Sequence, residues 1–440
     1  MPSSRLPAVL FVLAALLLVP PGALWYLSAP TELAWVEAPQ AIGRATLVKV
    51  RAANPHGLRV FRATLEQKGR RVTLAEILRP PVRFSFRKGS PPQEFSVVAG
   101  RDRFPELEEG KAALEIETVA NDFRGAANRL AAIVDVILKP PALAVDSQSF
   151  PVIRGGTGLA VFTPVGPWTV AGVRVGDREF PSFPKPGREN ERFALFAVPV
   201  DAPEDAAPVV FARNAAGMEA TQPAPGKVAR ARQRRREFRI DDRFLEKVTG
   251  ELDPGGAGSL EERYLRINRE MRQANNAVLE KLAARTAPKF LWTGRLERWP
   301  RAATQSEFAD IRSYVYRGRQ IDEQVHLGVD LASTKQAAVT AAGAGVVIFA
   351  EKLGIYGNCV VIDHGASLQS IYAHLSRISV QPGEAVRAGR EIGRSGNSGL
   401  AGGDHLHFAV QVGGVPVTPF EWWNATWANK TVFARLGLGN

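Results

Sequence analysis

Five of the six histidines lie between residues 326 and 407, and three of them form two short patterns that can hold a metal. His326-Leu327-Gly328-Val329-Asp330 places an imidazole and a carboxylate four apart, which on a strand is one face. His405-Leu406-His407 repeats the logic at spacing two, with Leu406 turned toward a core. Nitrogen and oxygen donors of this kind suit a borderline cation such as zinc. The single cysteine, Cys359, lies in the apolar run Asn358-Cys359-Val360-Val361-Ile362 and reads as a buried strand residue, so a thiolate site is excluded. Three protein ligands leave a fourth position for water, the arrangement of a catalytic rather than a structural zinc.

Further motifs stand between these two patterns. Val339-Thr340-Ala341-Ala342 and Gly345-Val346-Val347 follow the first, then Tyr356-Gly357-Asn358, Val361-Ile362-Asp363-His364-Gly365 and Tyr372-Ala373-His374-Leu375-Ser376. Gly383, Val386, Gly389, Ile392-Gly393, Ser395-Gly396 and Ser398-Gly399 lead to His405-Leu406-His407-Phe408, and Pro419 closes the series. In this order and spacing, about residues 322–422 resemble the lysostaphin/LytM-type zinc endopeptidases of bacterial cell walls. The resemblance implies one zinc ion per chain held by His326, Asp330 and His407, with His374 and His405 as catalytic histidines beside it. It also implies peptidoglycan as the partner, hydrolysed at a crosslink or stem-peptide amide. One histidine would orient or deprotonate the attacking water and the other would hydrogen-bond the oxyanion; the sequence does not assign which. The family often carries a Phe-Gly-x-Arg turn ahead of the first motif. Here Ser313-Tyr314-Val315-Tyr316-Arg317-Gly318-Arg319 runs to Glu323 instead, which leaves one groove wall undefined. Two other readings remain open: a catalytically silent wall-binding or hydrolase-activating scaffold, and a peptidase of exported proteins.

The remaining histidines read as structural: His364 in a strand-end turn and His56 in the turn Asn54-Pro55-His56-Gly57. The glycine-rich Ser395–Gly403 stretch lacks the lysine and helix start of a phosphate cradle, and reads as a loop along the substrate groove. Trp422 and Trp423 read as core packing at the end of the domain, with sugar stacking as the alternative.

These residues need β elements to position them. From about residue 300 onward, strand-like runs at 344–350, 359–363, 368–372, 391–392 and 406–412 are separated by glycine-rich turns. The predicted class is mainly β: a C-terminal antiparallel β-sheet peptidase domain with an open groove, preceded by two β-sandwich-like modules and a short helical hairpin. The expected domains are 1–30 (membrane anchor or signal peptide), 31–138 and 139–225 (β modules), 226–300 (basic linker and helical segment) and 301–440. In the first module, 45–50, Phe84-Ser85-Phe86 and 113–119 read as strands. The last alternates apolar and polar residues and meets 131–138 through Asn121-Asp122 and Gly125, a hairpin signature. Residues 142–222 echo this pattern weakly.

Lys227, Arg230, Arg232, Arg234, Arg235, Arg236 and Arg239 crowd against a lone acid, Glu237. That run reads as a solvated linker or charged strand edge, or as a contact for an anionic polymer. Asp241-Asp242 caps a short helix, and Ser259 with Glu262 forms a capping box before apolar residues at helical spacing from Leu260 to Leu282. This pair can pack on the catalytic domain or cover its groove, and self-inhibition is a hypothesis that follows from its position.

The formal charge is +12, yet residues 301–440 carry 12 basic and 11 acidic groups, so the basicity belongs to the N-terminal part. No nucleic-acid-binding motif accompanies it. Leu6–Leu27 is uncharged and mostly apolar behind Arg5, and as a helix it would span about 33 Å, roughly a bilayer core. A cleaved signal peptide fits Ala8–Val19 before Pro20-Pro21-Gly22; an anchor through which the protein meets the membrane fits the full length and Trp25-Tyr26. Both predict export, to the periplasm or cell exterior.

Overall fold

The computed structural model describes residues 19, 22–82, 89–148, 150–203, 205–231, 233–292 and 294–439. Most of the apolar leader, the expected strand at Phe84-Ser85-Phe86 and Arg232 lie outside the described residues. Among those described, no helix is long and apolar enough to cross a membrane. The chain divides into two compact units: residues 1–141 with 166–169 and 213–219, and the remainder.

The first unit packs a five-stranded sheet, in the order Ala41–Ile42, Ala127–Val136, Gly110–Ala120, Leu58–Gln67 and Arg70–Leu78, with the three-stranded sheet Glu32–Trp35, Thr46–Ala53 and Gln93–Ala99. The alternation read at 113–119 is the inward set Ala112, Leu114 and Ile116, which joins Val48, Val50, Phe61 and Leu65 in one core. The hairpin is present, with Gly110 opposite Val136 and Val119 opposite Ala127.

In the second unit, two four-stranded sheets precede the helices. One runs Phe183–Lys185, Arg188–Ala197, Thr157–Val165, Ala142–Val145; the other runs Arg178–Pro181, Val170–Val175, Val209–Arg213, Glu219–Pro223. The basic run then forms the strand Arg235–Ile240, parallel to Ile311–Tyr316, which makes a hairpin with Arg319–Val325. Its charges are used locally: Arg236 meets Asp310 at 3.1 Å and Arg234 meets Glu307 at 3.3 Å, while Arg235 pairs with Glu323. Of the readings open for this run, the described part is the charged strand edge.

The helical segment comprises Asp242–Leu252, then Leu260–Arg266 running through a π turn at Ile267–Met271 into Arg272–Leu282. Asp241 accepts from the Phe244 amide, and Ser259 and Glu262 close the reciprocal capping box.

The sheet that bears the histidines runs Ala303–Ser306, Val329–Ala332, Leu406–Val412, Leu368–Leu375, Asn358–Gly365, Gly345–Lys352, Ala385–Val386, with Val415–Val417 paired to Leu406–Val412. Every pair is antiparallel. All residues of Leu368–Leu375 and Leu406–Val412 are buried, which requires cover on both faces. One face is closed by the C-terminal residues, where Trp423 stacks on Phe408 at 5.4 Å. Trp422 is fully buried and donates to the Thr157 hydroxyl at 3.2 Å, so it is core rather than a sugar platform. His364 is also core, held by the Ala344 carbonyl and the Ser370 hydroxyl.

Beside Trp422, burial drives the Glu421 carboxyl up to about 8, although it accepts the Thr157 amide at 2.7 Å. A raised carboxylate pKa stabilises the fold fully only below the unfolded value of about 4.5, and that stability is lost as pH rises toward 8. Glu421→Gln keeps the acceptor without the ionisation. Relative to the wild type, it is expected to gain about 3 kcal/mol between pH 5 and pH 8, read from urea unfolding at both values. An equal difference at both pH values would show that Glu421 is not held protonated.

Candidate metal centre

Strand register brings the predicted ligands together. Asp330 lies directly opposite His407 across one strand pair, and His407 lies opposite Ala373 across the next, with His374 adjacent. His326 precedes the strand Val329–Ala332 and is tied at both backbone groups to the turn before it: its amide donates to Asp310 O and its carbonyl accepts from Ala309 N. Gly328 makes this approach possible. A Cβ there would stand 2.6 Å from the His407 ring and 2.8 Å from the Phe408 carbonyl.

Three donor atoms form a nearly equilateral triangle. His326 Nε2 is 3.0 Å from His407 Nδ1, His407 Nδ1 is 3.0 Å from Asp330 Oδ1, and Asp330 Oδ1 is 3.1 Å from His326 Nε2. Hydrogen bonds cannot satisfy all three edges. His326 Nδ1 lies 2.9 Å from the Glu307 carbonyl, which only accepts, so a neutral imidazole points a bare Nε2 lone pair into the triangle. One proton on His407 Nδ1 serves one edge only. Ligands about 2.0–2.1 Å from a tetrahedral zinc stand about 3.3 Å apart, so a cation above this face fits the donor set with a small expansion. The Glu307 carbonyl is then the outer partner that fixes ring and tautomer.

All three donor residues are nearly buried, at 4%, 7% and 7% exposure for His326, Asp330 and His407. Burial pushes His326 down to about 4 and lowers His407, keeping both neutral and available as ligands. Desolvation alone would raise the Asp330 carboxyl, but His326, His407 and Arg312 hold it well below the usual range. Arg312, which pairs with Asp330, is a site residue that the sequence reading missed. Its guanidinium pairs with Asp330 Oδ2 and donates to the Ser306 hydroxyl at 3.0 Å, leaving Oδ1 to face the triangle. A signal for it existed: Phe308-Ala309 precedes Asp310-Ile311-Arg312, and Ala309 adopts φ +66°, taking the left-handed position a glycine would favour.

His374 and His405 stand beside the triangle with rings 4.9 Å apart. Each has its Nδ1 against a carbonyl, Ser398 at 2.9 Å and Gly403 at 2.8 Å, so each presents Nε2 to the site. His374 holds φ +61°, an uncommon conformation for a non-glycine residue, and burial followed by its histidine neighbours depresses its pKa well below the usual value. All five predicted residues thus converge.

The helical segment lies against the same sheet face and narrows the groove expected to be open. Leu245, Val248, Tyr264, Ile267, Leu279 and Leu282 share one core with Cys359, Val361, Ile371, Ala373 and Ala409. Gln369 and Gln411 donate to the Leu282 and Leu279 carbonyls at 3.0 Å, satisfying the helix C-terminus from the sheet. Lys247 Nζ donates to three carbonyls of the loop at Asn397, Gly399 and Ala401. Exposing six such side chains costs about 1.5–3 kcal/mol each, on the order of 10 kcal/mol together, comparable with a domain's whole net stability. The magnitude favours a fixed wall over a lid that opens.

An antiparallel sheet presenting two histidines and an aspartate on one donor face, with two further histidines beside it, has the layout of a one-metal hydrolytic centre. The profile of Peptidase family M23 matches residues 324–419, and this stretch is an M23 domain of the LytM/lysostaphin type. Over 96 residues the chain is 40% identical to the DD-carboxypeptidase/endopeptidase Mpg of Neisseria meningitidis serogroup B, covering 22% of each. It is 42% identical over 96 residues to the peptidoglycan DD-endopeptidase ShyA of Vibrio cholerae serotype O1, again 22% of each. The matched stretch thus spans about a fifth of these curated relatives. Among solved structures, a putative peptidase M23 from Pseudomonas aeruginosa aligns over 62% of this chain and 95% of its own, at 21% identity and a TM-score of 0.41.

Proposed function

We propose that the chain is an exported, zinc-dependent peptidase that hydrolyses an amide bond in the peptide part of bacterial peptidoglycan. The observation that carries this reading is the 3.0–3.1 Å triangle of His326, His407 and Asp330 with two carbonyl-anchored histidines beside it. The names of Mpg and ShyA support the substrate class, and the apolar leader in the sequence supports export.

His326, Asp330 and His407 would hold the zinc, and Arg312 would keep Asp330 on it through a single oxygen. Bound there, the metal supplies Lewis acidity toward a water and the scissile carbonyl. His374, kept neutral by burial, accepts the proton of the attacking water at Nε2 and returns it to the leaving amine. His405, whose Nδ1 hydrogen is held by the Gly403 carbonyl, has Nε2 3.6 Å from Asp330 Oδ1 and donates from it to the developing oxyanion only as the doubly protonated ring. The carbonyls of Ser398 and Gly403 hold the two rings so that no reorganisation is needed at the moment of reaction.

Chelation is expected to abolish turnover of purified peptidoglycan peptides, and one equivalent of zinc is expected to restore it. Turnover that survives complete metal removal would exclude the metal reading.

A further inference from the structure

A cavity of about 440 Å³, within the range of small-ligand sites, adjoins the metal pocket. The two share Arg272, Leu327 and Tyr356 as walls. Elsewhere the cavity is lined by apolar groups such as Leu279 and Ile371, by Gln324 and Gln411, and by the charged Asp201 and the Arg178–Glu280 pair, whose charges offset each other at 2.6 Å.

Arg272 differs from the other guanidinium groups around the site. Arg312 is paired with Asp330, Arg269 with Asp322, Arg178 with Glu280 and Arg263 with Asp253. Among the described residues Arg272 has no carboxylate partner. Its Nε and Nη2 donate to the carbonyl and side-chain oxygen of Asn268, at 3.0 and 2.6 Å, one turn earlier on the same helix. Those bonds fix the planar group and leave the Nη1 hydrogens free. A half-buried, pre-oriented and unneutralised guanidinium beside a hydrolytic centre matches a carboxylate in geometry and charge. Its helix is packed into the core of the sheet, so this group is a fixed part of the wall.

We propose that this cavity receives the end of a substrate peptide and that Arg272 is the specificity-determining residue, binding its free terminal carboxylate. The chain would then act on uncrosslinked peptide ends, where the bond cut lies within one residue or so of the carboxylate, rather than on a crosslink threaded through an open groove. This rests on the hydrolase reading above and narrows its substrate class.

The test uses the full zinc-loaded chain and a fluorescent stem-type pentapeptide ending in D-Ala-D-Ala. Two companion probes are amidated, one at the C-terminus and one at the acidic side chain. Binding is read by anisotropy on the His374→Ala chain, so the outcome does not depend on turnover. Terminal amidation is expected to weaken binding about tenfold or more, as for other sites that lose a charged partner. Side-chain amidation is expected to change it less than about twofold. Arg272→Gln is expected to erase the difference between the terminal acid and the terminal amide, and Arg272→Lys to restore part of it. Equal binding of acid and terminal amide, dependence on the side-chain carboxylate instead, or a difference that persists in Arg272→Gln would overturn the proposal. Failure of the His374 chain's unmutated parent to cleave any probe would count against the hydrolase reading, while the binding comparison still decides the role of Arg272.

Discussion

His374→Ala is expected to lower kcat by about two to four orders of magnitude while leaving the bound metal in place. In the proposed mechanism this residue transfers the proton, and its geometry fits that role. Its Nδ1 is consumed by the Ser398 carbonyl, its ring faces His405 and His407, and it holds a left-handed backbone conformation that puts Nε2 into the site. Because His374 is not part of the donor triangle, metal content by mass spectrometry under native conditions should match the parent chain. Loss of metal together with activity would instead make His374 a ligand, and the assignment of His326, Asp330 and His407 would need revision.

The second large effect concerns a residue with no side chain. Gly328→Ala adds one methyl group, yet that atom would meet the His407 imidazole at 2.6 Å and the Phe408 carbonyl at 2.8 Å. The backbone carbonyl lies in the strand Leu406–Val412, paired on both sides, so it cannot yield cheaply. The imidazole must move, and displacement of about 1 Å at a catalytic constellation costs on the order of a hundredfold in rate. Weaker zinc retention in a chelator competition should accompany that loss, with the melting temperature little changed. An active variant with unchanged metal affinity would show that His407 is not held where the structure places it.

Much of this site was legible in the sequence because its signals are local. A histidine and an aspartate four apart, or two histidines two apart, state which side chains share a strand face without naming the partner strand. The order of the intervening glycines and Tyr372-Ala373-His374-Leu375 then matched a known pattern. Arg312 was missed because its meaning is non-local: it reaches Asp330 only after the turn at Ala309 and the hairpin Ile311–Tyr316 with Arg319–Val325 have formed. That hairpin is also what stands where the sequence left a groove wall undefined.

The helical cover was half legible. The Asp241 cap, the Ser259–Glu262 capping box and the apolar spacing gave the helices, and the unbroken apolar run Cys359-Val360-Val361-Ile362 read as a buried strand. What the pattern could not state is that these two facts answer each other, with Leu279 and Leu282 closing over Val361 and Ile371. The parallel pairing of Arg235–Ile240 with Ile311–Tyr316 was equally out of reach, since periodicity fixes a strand's faces and not its neighbours. For the same reason the charge cluster in that strand gave no hint that Asp310, Glu307 and Glu323 would answer it.

The most direct test of the account is incubation of the full chain with purified peptidoglycan, followed by mass spectrometry of every peptide and amino acid formed, with metal content determined on the same sample. The account predicts one zinc per chain and new products that each record addition of one water across a peptide amide, all absent after chelation and in His326→Ala. Zinc bound at full occupancy with every wall peptide left intact would contradict it.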